Sequence, residues 1–514
     1  MGCRRLTRSR VNVTAERIIL DAGCVVSAPL PALSDPPLAR GHRSWGGGTF
    51  LSNPGGSPSA VRGLLAGRAH PTASIWTLLG VVARRIRIES PADLRIRGRN
   101  LKRASLSRRV VGKRRVLLAN SIYHLTNDGA VTVLAGQIVV LQSVAAFGGF
   151  GAAEVGLLGG TALVVTAVFQ FLFGIMSDRR DPSRFLPIGI AVLGLGSLLV
   201  ALASSFWTLL AFVALSRIGA SFYHPVGISW IGREFEGAAL DHSMGFQSAF
   251  GDSGVILGMA SGAILAVGFG WQSPFVLWGG VNLLAVAIGL ALARGRSSPP
   301  PPGQALARNY LEVLRDVRLW LLPLAVGGAV FNIFSFFGPL LLYGKFGVPK
   351  DLAGVAVALW ILAGSVAAFF FGRVSRRFGR YRALVTSYAA LTLAGLVGAL
   401  VDNLWVVLVV FWSLGSALFL TYPALFSFVA ESSHRQLQGA AFGLIFAFQL
   451  LGGAFGLFAA GLLAAAFGGS VTVETSIPFS LAAALAFFGF VLLVMVRGQA
   501  GLNRRGVRSA VPPL

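Results

Sequence analysis

The chain has 514 residues, of which 55% are hydrophobic and only 12% are charged, and its mean hydropathy is +0.73. This composition excludes a purely water-soluble protein, because polar side chains are too few to cover so much apolar surface. The formal net charge of +25 would suggest a nucleic-acid-binding protein if it were evenly spread. Residues 1–115, however, hold 22 Lys/Arg and 5 Asp/Glu, a net +17, whereas residues 116–514 hold 22 and 14, a net +8. No nucleic-acid partner is therefore predicted.

Residues 1–112 form a basic N-terminal extension, rich in Arg, Gly, Pro and Ser and without a sustained hydrophobic period. Such a composition predicts little folded structure. Two interpretations stay open: a cytoplasmic tail that contacts anionic lipid headgroups, or a start codon assigned too far upstream in a GC-rich gene. Both cysteines, Cys3 and Cys24, lie in the extension, so the rest of the chain has no thiol for a disulfide, a metal site or nucleophilic catalysis.

Twelve mostly apolar stretches follow, each about long enough to cross ~30 Å of hydrocarbon as a helix. The predicted fold class is therefore an all-α membrane protein with twelve transmembrane helices. The predicted spans are 116–144, 154–176, 185–204, 206–231, 243–268, 273–293, 318–343, 351–372, 382–401, 404–429, 437–466 and 474–496.

The loops between these predicted helices differ in positive charge. Loops after even-numbered helices are rich in arginine, as at Arg179, Arg180 and Arg184, whereas loops after odd-numbered helices contain only Lys345 and Lys350. Because short basic loops stay in the cytoplasm, both termini are predicted to be cytoplasmic. The expected location is the cytoplasmic membrane of a prokaryote.

A polar stretch at 294–317 separates the sixth helix from the seventh and contains the run SSPPPPG. Proline at this density cannot continue a helix, so the stretch is predicted to be a cytoplasmic linker. It divides the chain into two six-helix halves, 113–293 and 318–496. A cytoplasmic tail is expected at 497–514.

The two halves repeat a loop motif. GIMSDRRDPSR at 174–184 follows the second helix, and GRVSRRFGRYR at 372–382 follows the eighth. Gly174 and Gly372 are predicted to permit close approach of neighbouring helices, while the basic residues hold each loop against helix ends and headgroups. A motif shared by parallel halves is typical of one secondary-transporter architecture.

This loop resembles the signature of the major facilitator superfamily, G-x-x-x-D-R. The matching residues are Gly174, Asp178 and Arg179 in the first half, and Gly372, Arg377, Gly379 and Arg380 in the second. The second copy departs from the pattern because Arg376 stands at its acidic position. The resemblance implies two six-helix halves that move against each other during transport.

Two further segments are similar to fosmidomycin-resistance-type transporters within this superfamily. SIYHLTNDGAVTVLAG in the first helix resembles their H-x-x-N-D pattern, and SFYHPVG at 221–227 resembles their F-H-P-x-G pattern in the fourth helix. This resemblance implies export of a drug or metabolite by proton antiport.

The first helix carries polar residues that share one side: Asn120, His124, Asn127 and Asp128. Ionisable groups inside a bilayer are costly and normally face a cavity or a partner. Asp128, assisted by His124 four residues earlier, is predicted to be the proton-coupling site. The alternative is an Asp–His pair that fixes the first helix to a neighbour.

In the fourth helix, Arg217, Ser221 and His224 are predicted to share a face. Arg217 is interpreted as an anchor for an anionic substrate, as a counter-ion to Asp128 or Asp252, or as part of a structural ion pair. The resemblance adds that a fourth-helix arginine in this superfamily is often tied to proton coupling. Because Pro225 removes a backbone hydrogen bond, a kink or break is also predicted there.

The fifth helix contains Gln247, Ser248 and Asp252, and Asp252 is predicted to be a second acidic residue of the cavity. The residues of the first half predicted to line the substrate cavity are Asn120, Asn127, Ser221, His224 and Gln247. Three glycines spaced four residues apart predict tight helix packing and a surface on which one half moves against the other. They are Gly254, Gly258 and Gly262. In the second half, the weaker candidates for the cavity wall are Asn332, Tyr422 and Gln449, and an ordinary interhelical hydrogen bond is the favoured interpretation of each.

These features favour a secondary transporter that works by alternating access, most simply by proton-coupled efflux of a small molecule. Proton-coupled uptake of a small organic anion is the alternative. A membrane enzyme is disfavoured because H-E-x-x-H and G-x-S-x-G patterns do not occur. A channel would usually be a shorter subunit and would not need two halves with a shared motif, and ATP-driven transport is disfavoured because no P-loop pattern occurs. A sensor would need a folded output domain. No cofactor and no metal are predicted, because the proton gradient is expected to supply the energy. The predicted partners are a small-molecule substrate and the lipid bilayer. The protein is expected to be a monomer.

Overall fold

The computed structural model describes residues 91–177, 179–298, 308–432 and 438–508. Within these ranges the chain is almost entirely helical, as expected from its apolar stretches. The membrane helices are α1 (Pro91–Gly136), α2 (Ala152–Ser177), α3 (Pro182–Val200), α4a (Phe206–Ala220), α4b (Tyr223–Glu234), α5 (Gly237–Phe269), α6 (Ser273–Ala293), α7 (Arg308–Phe346), α8 (Lys350–Phe369), α9 (Arg380–Leu400), α10a (Leu404–Ser413), α10b (Leu418–Ser432), α11 (Gln438–Phe467) and α12 (Val471–Arg508).

Eleven spans in the described ranges are long and apolar enough to cross a membrane, where α4a with α4b forms one span and α10a with α10b forms another. The one predicted span that these eleven do not include is the first in chain order, α1. The polar side chains of His124, Asn127 and Asp128 lower its hydropathy. It does not need a fully apolar surface because it packs against α5, α6 and α4b inside the first half. The twelve-helix fold class is confirmed.

Three helices extend beyond the predicted boundaries. Helix α1 begins at Pro91, inside the predicted extension 1–112; α7 begins at Arg308, inside the predicted linker 294–317; and α12 ends at Arg508, inside the predicted tail. The physical reason at α7 is amphipathicity, because Val313 and Val317 are fully buried although charged residues flank them. The predicted disorder of residues 1–90 and the prolines at 299–302 lie outside the described residues.

The fourth and tenth helices are interrupted. Helix α4a ends at Ala220 and α4b starts at Tyr223, so the predicted break is present, slightly before Pro225. Pro225 lies in the first turn of α4b, where a missing N–H leaves no internal hydrogen bond unmade. The tenth helix is interrupted by a 3₁₀ turn at Gly415–Ala417.

The glycine stripe of α5 packs on α1 of the same half. A β-carbon on Gly254, Gly258 or Gly262 would lie 2.2, 2.1 or 2.8 Å from the carbonyl oxygens of Leu125, Gly129 and Val133 respectively. The prediction of tight packing is confirmed. The prediction that this stripe is the surface between the two halves is wrong, because both helices belong to residues 113–293.

A second set of close contacts joins the two halves; we call it the glycine seam, formed by Gly156, Gly354 and Gly461. A β-carbon on Gly156 would lie 2.5 Å from the Leu457 carbonyl oxygen, and one on Gly461 would lie 2.5 Å from the Ala152 carbonyl oxygen. Gly354 of α8 meets the backbone of Gly136 in the same way, at 2.5 Å. All these contacts lie at the helix ends remote from the linker.

Candidate functional site

The polar side of α1 holds a histidine and an aspartate in close contact inside the first half. His124 Nε2 lies 3.1 Å from Asp128 Oδ2, as the spacing of four residues predicts. His124 Nδ1 lies 2.8 Å from the backbone carbonyl oxygen of Gln247 on α5. His124 therefore connects the pair, and with it α1, to α5.

A second histidine approaches the same carboxylate from α4b. His224 Nε2 lies 3.6 Å from Asp128 Oδ1, and Asn127 Nδ2 donates to that oxygen at 2.9 Å. We call His124, Asp128 and His224 the His-Asp-His cluster. The sequence placed His224 on the cavity wall but did not pair it with Asp128, because that contact is between two helices whose relative rotation no local spacing reveals.

Tyr223 packs against His124 of the cluster and was not among the predicted site residues. Its ring stacks on His124 with centroids 4.2 Å apart, and its hydroxyl lies 2.7 Å from Asn120 Oδ1 and 2.8 Å from Gln247 Oε1. Asn120 Nδ2 in turn donates to the Gly227 carbonyl oxygen at 2.8 Å. Tyr223 thus holds α1, α4b and α5 together, and the available signal was its position beside His224 in the motif SFYHPVG.

Arg217 is buried but lies apart from the cluster. Its guanidinium donates to the Val131 carbonyl oxygen at 2.7 Å, one turn beyond Asp128. Among the described residues it forms no ion pair with Asp128 or Asp252, so the predicted counter-ion role is not observed. Ser221 does not face the cluster either, because its hydroxyl bonds to the carbonyl oxygens of Arg217 and Thr166.

Asp252 of α5 is partly buried and faces the second half. Its carboxylate is close enough to interact electrostatically with both His124 and Asp128. The Ser365 hydroxyl of α8 faces this carboxylate without reaching hydrogen-bonding geometry. Ser248 is exposed and accepts a hydrogen bond from Gln247 Nε2 at 3.1 Å. Asp252 is therefore placed between the cluster and the other half.

The second half contributes an aromatic wall. Phe446 of α11 stacks on His224 with centroids 5.4 Å apart, and Phe426 and Tyr422 continue the ring contacts at 5.3 and 6.1 Å. Phe446 and Phe426 were missed because aromatic residues in an apolar span carry no distinctive pattern. Within the described residues Tyr422 Oη and Gln449 Oε1 have no hydrogen-bond partner, although the two side chains are neighbours. Such buried polar atoms are available to water or to a ligand.

Asn332 of the second half forms a hydrogen bond within its own helix. Its side-chain amide donates to the Gly328 carbonyl oxygen, one turn earlier in α7, at 2.9 Å. This local bond satisfies the donor within its own helix. It supports the structural alternative for Asn332.

The loop motif of the first half is tied to α4b and to the start of the linker. Arg233 at the end of α4b donates to the carbonyl oxygens of Ser177, Arg180 and Ser298. Asp181 caps α3 and accepts hydrogen bonds from Ser297 Oγ and Ser298 N at 2.6 and 3.2 Å. Partial burial raises the pKa of Asp181, but these hydrogen bonds outweigh it and keep the pKa below its usual value.

The glycines of the motif do not act as predicted. A β-carbon on Gly174 would meet its nearest atom, on Pro225, at 3.6 Å, and one on Gly372 would meet Arg376 at 3.7 Å, both ordinary contacts. The predicted close approach is therefore wrong at both positions. Gly379, in contrast, needs to be glycine because its φ is 83°.

Two arginines of the second-half loop motif lie over aromatic rings. Arg377 and Arg380 stack over the rings of Phe378 and Phe428, each 5.5 Å from the ring centroid. Arg179 lies in the turn after α2, and Asp178 lies outside the described residues. The charge interaction predicted from Asp178 and Arg179 stays a prediction.

Two packed helical halves with ionisable groups buried between spans define a membrane carrier. The sequence matches the Major Facilitator Superfamily over residues 118–352 and 340–512, which is most of the chain. The chain belongs to this superfamily. It is therefore a multi-pass membrane transporter by family, whereas the resemblance to fosmidomycin-resistance-type transporters stays a prediction.

Relatives of known name support the family but not one substrate. The chain is 26% identical over 342 residues to the membrane sensor protein UhpC of Salmonella typhimurium, covering 58% of this chain and 74% of that protein. It is 22% identical over 321 residues to the multidrug resistance protein MdtG of Citrobacter koseri, covering 61% and 79% respectively. The fold is similar to that of the nucleoside transporter NupG, with a TM-score of 0.62, 13% identity and coverage of 75% of this chain and 100% of that one.

Proposed function

We propose that the protein exports a small drug or metabolite across the prokaryotic cytoplasmic membrane in exchange for protons, with both termini on the cytoplasmic side. The observation that carries this proposal is the His-Asp-His cluster. Histidine is the side chain whose ordinary charge change falls near neutral pH, and here two histidines share one carboxylate inside the spans. The relative named a multidrug resistance protein supports the direction of transport.

Protonation of the cluster alters bonds that connect helices. His124 bridges Asp128 of α1 and the Gln247 carbonyl oxygen of α5, so a proton gained or lost there changes the attachment of α1 to α5. His224 brings α4b to the same carboxylate. The other groups that face the cluster are Tyr223, Asp252 and, from the second half, Phe446.

The second half senses this change through Phe446. The ring lies against His224, so a move of the imidazole displaces a side chain of α11. Helix α11 also carries Gly461 of the glycine seam. A shift at the cluster can therefore alter the contact between halves, which is the differential stabilisation that alternating access needs.

The aromatic wall supports an amphipathic substrate. Phe446, Phe426 and Tyr422 provide apolar faces, and Tyr422 Oη and Gln449 Oε1 provide polar atoms without partners in the described residues. Binding sites for drug-sized molecules combine these two features.

The test is proton flux in proteoliposomes containing the purified full chain. Phosphonates, sugars, carboxylates and cationic drugs are added one at a time, and the lumenal pH is followed with a trapped dye. We expect one class of compound to drive proton movement, and Asp128→Asn to abolish the proton movement while retaining binding of that compound. The matched control is Asp402→Asn, because Asp402 is an exposed carboxylate paired with Lys345 at 3.1 Å outside the spans. Gradient-driven transport that is equal in Asp128→Asn and Asp402→Asn would contradict the proposal.

Uptake of an organic anion is the second candidate, and Arg217 is the observation that favours it. Its buried guanidinium has five N–H donors, while the structure gives it one carbonyl acceptor. A carboxylate or phosphonate could use the remaining donors. The same flux assay distinguishes the candidates: antiport moves protons against the direction of the compound, whereas symport moves them with it.

A further inference from the structure

The His-Asp-His cluster brings together three metal-ligating side chains in the part of the chain that the structure describes. One ligand atom from each of His124, Asp128 and His224 lies within 4.8 Å of the other two. They come from α1 and α4b, so the arrangement depends on how these two helices pack against each other.

Hydrogen positions in the cluster leave an electrostatic problem. The Gln247 carbonyl oxygen only accepts hydrogen bonds, so His124 Nδ1 at 2.8 Å carries the hydrogen that it donates. In a neutral imidazole His124 Nε2 is then a lone pair, yet it faces Asp128 Oδ2 at 3.1 Å. Two acceptors at that distance repel each other unless a cation lies between them. A proton on Nε2 or on the carboxylate removes this repulsion, and a metal ion bound to both atoms would also remove it.

The separations suit a metal ion. Two ligand atoms each about 2.1 Å from a tetrahedral ion lie roughly 3.4 Å apart. The His124–Asp128 and His224–Asp128 separations of 3.1 and 3.6 Å lie on either side of that value. They end on the two different oxygens of the carboxylate, so the ion would lie between the carboxylate and both imidazoles. The two histidine nitrogens lie within 4.8 Å of each other, so binding one ion would also draw the two imidazoles together.

Neighbouring groups already orient the ligands. The Gln247 carbonyl oxygen fixes the His124 tautomer with Nε2 turned to the cluster, and Asn127 Nδ2 donates to Asp128 Oδ1 at 2.9 Å. Tyr223 and Phe446 stack on the two imidazoles. Metal-binding histidines characteristically donate their second nitrogen to a carbonyl or carboxylate in this way.

We propose that His124, Asp128 and His224 bind one divalent first-row transition-metal ion, such as Zn²⁺, Co²⁺ or Ni²⁺, in the place otherwise taken by a proton. Two imidazoles and one carboxylate favour these ions over Mg²⁺ and Ca²⁺, which prefer oxygen ligands. Three protein ligands leave a further coordination position for water or a small ligand. Because the ion needs an unprotonated His124 Nε2, binding releases a proton, and ion and proton are alternatives at one site.

The test is binding of Co²⁺ to the full-length protein in detergent micelles, purified by a tag without histidines. Absorption in the visible region reports imidazole-bound Co²⁺, titration calorimetry gives the stoichiometry, and the unbuffered pH gives the protons released. We expect one Co²⁺ per chain, displaced by Zn²⁺, with about one proton released. His224→Gln and Asp128→Asn should each weaken binding at least about tenfold, the usual scale for losing part of a metal site. The matched control is His242→Gln, since His242 is an exposed histidine on α5.

Failure to bind Co²⁺, or equal affinity of His224→Gln and His242→Gln, would overturn the metal site. X-ray absorption of the Zn²⁺-loaded wild-type protein needs no variant and gives the ligand count directly, so it decides the matter should the variants not fold. Two imidazoles in the first coordination shell support the site, and one or none contradicts it. Binding in micelles involves no gradient, so its outcome is independent of the transport proposal.

Discussion

At the scale of single residues, the cluster combines one predictable contact with several that were not predictable. His124 and Asp128 are four residues apart on one helix, and helix geometry alone places them together. The approach of His224, 3.6 Å from Asp128 Oδ1, depends on how α4b is rotated after its break. Tyr223 is the residue on which this arrangement most depends, since its ring and its hydroxyl contact three helices.

Replacing Tyr223 with phenylalanine should destabilise the protein without disturbing ring stacking. The single hydroxyl hydrogen of Tyr223 is shared by Asn120 Oδ1 and Gln247 Oε1, so the change leaves one of these buried oxygens without a donor. A buried unsatisfied polar group costs about 1–3 kcal/mol. The measurement is thermal unfolding in detergent, in which Tyr223→Phe should unfold at a lower temperature than wild type. Tyr343→Phe is the control because Tyr343 is 43% exposed. Equal losses in both variants would show that the Tyr223 hydroxyl contributes nothing specific.

At the scale of helices, hydropathy predicted the spans well and their ends poorly. The apolar part of each span is set by the thickness of the hydrocarbon, and that part is what a run of apolar residues reveals. The first turns of α7 are amphipathic, so Val313 and Val317 were assigned to the linker although they are buried. The α5 glycine stripe was recognised from its spacing, but its partner α1 was not, since a stripe does not say which neighbour it meets.

The stripe gives a test of helix packing within one helix. A β-carbon on Gly258 would lie 2.1 Å from the Gly129 carbonyl oxygen, whereas one on Gly245 would meet no atom within 4 Å. Gly258→Ala should push α5 away from α1, at a cost of about 1–3 kcal/mol typical of overpacking. Gly245→Ala should be neutral or slightly stabilising, because alanine favours helix. Thermal unfolding of both variants in detergent compares them, and equal stability would contradict the packing described for Gly258.

At the scale of the whole molecule, the number of halves and the family could be predicted, but the interface between the halves could not. The repeated loop motif and the proline-rich linker indicated two six-helix halves from sequence alone. The glycine seam has no such signal, because Gly156 and Gly461 meet across about 300 residues of chain and only the fold brings them together. The same limitation hid the contact between His224 and Phe446.

We propose that the charge of the His-Asp-His cluster controls how the two halves contact each other. The most direct test measures the distance between spin labels at Ala146 and Gly469, two exposed positions near the glycine seam in different halves. The labelled protein has Cys3 and Cys24 replaced by serine. Changing the pH from about 8 to about 5.5, the range in which histidine titrates, should shift the populations of short and long distances in wild type. We expect Asp128→Asn to remove this shift and Asp402→Asn to retain it. A shift of equal size in Asp128→Asn, or none in the wild type, would contradict it.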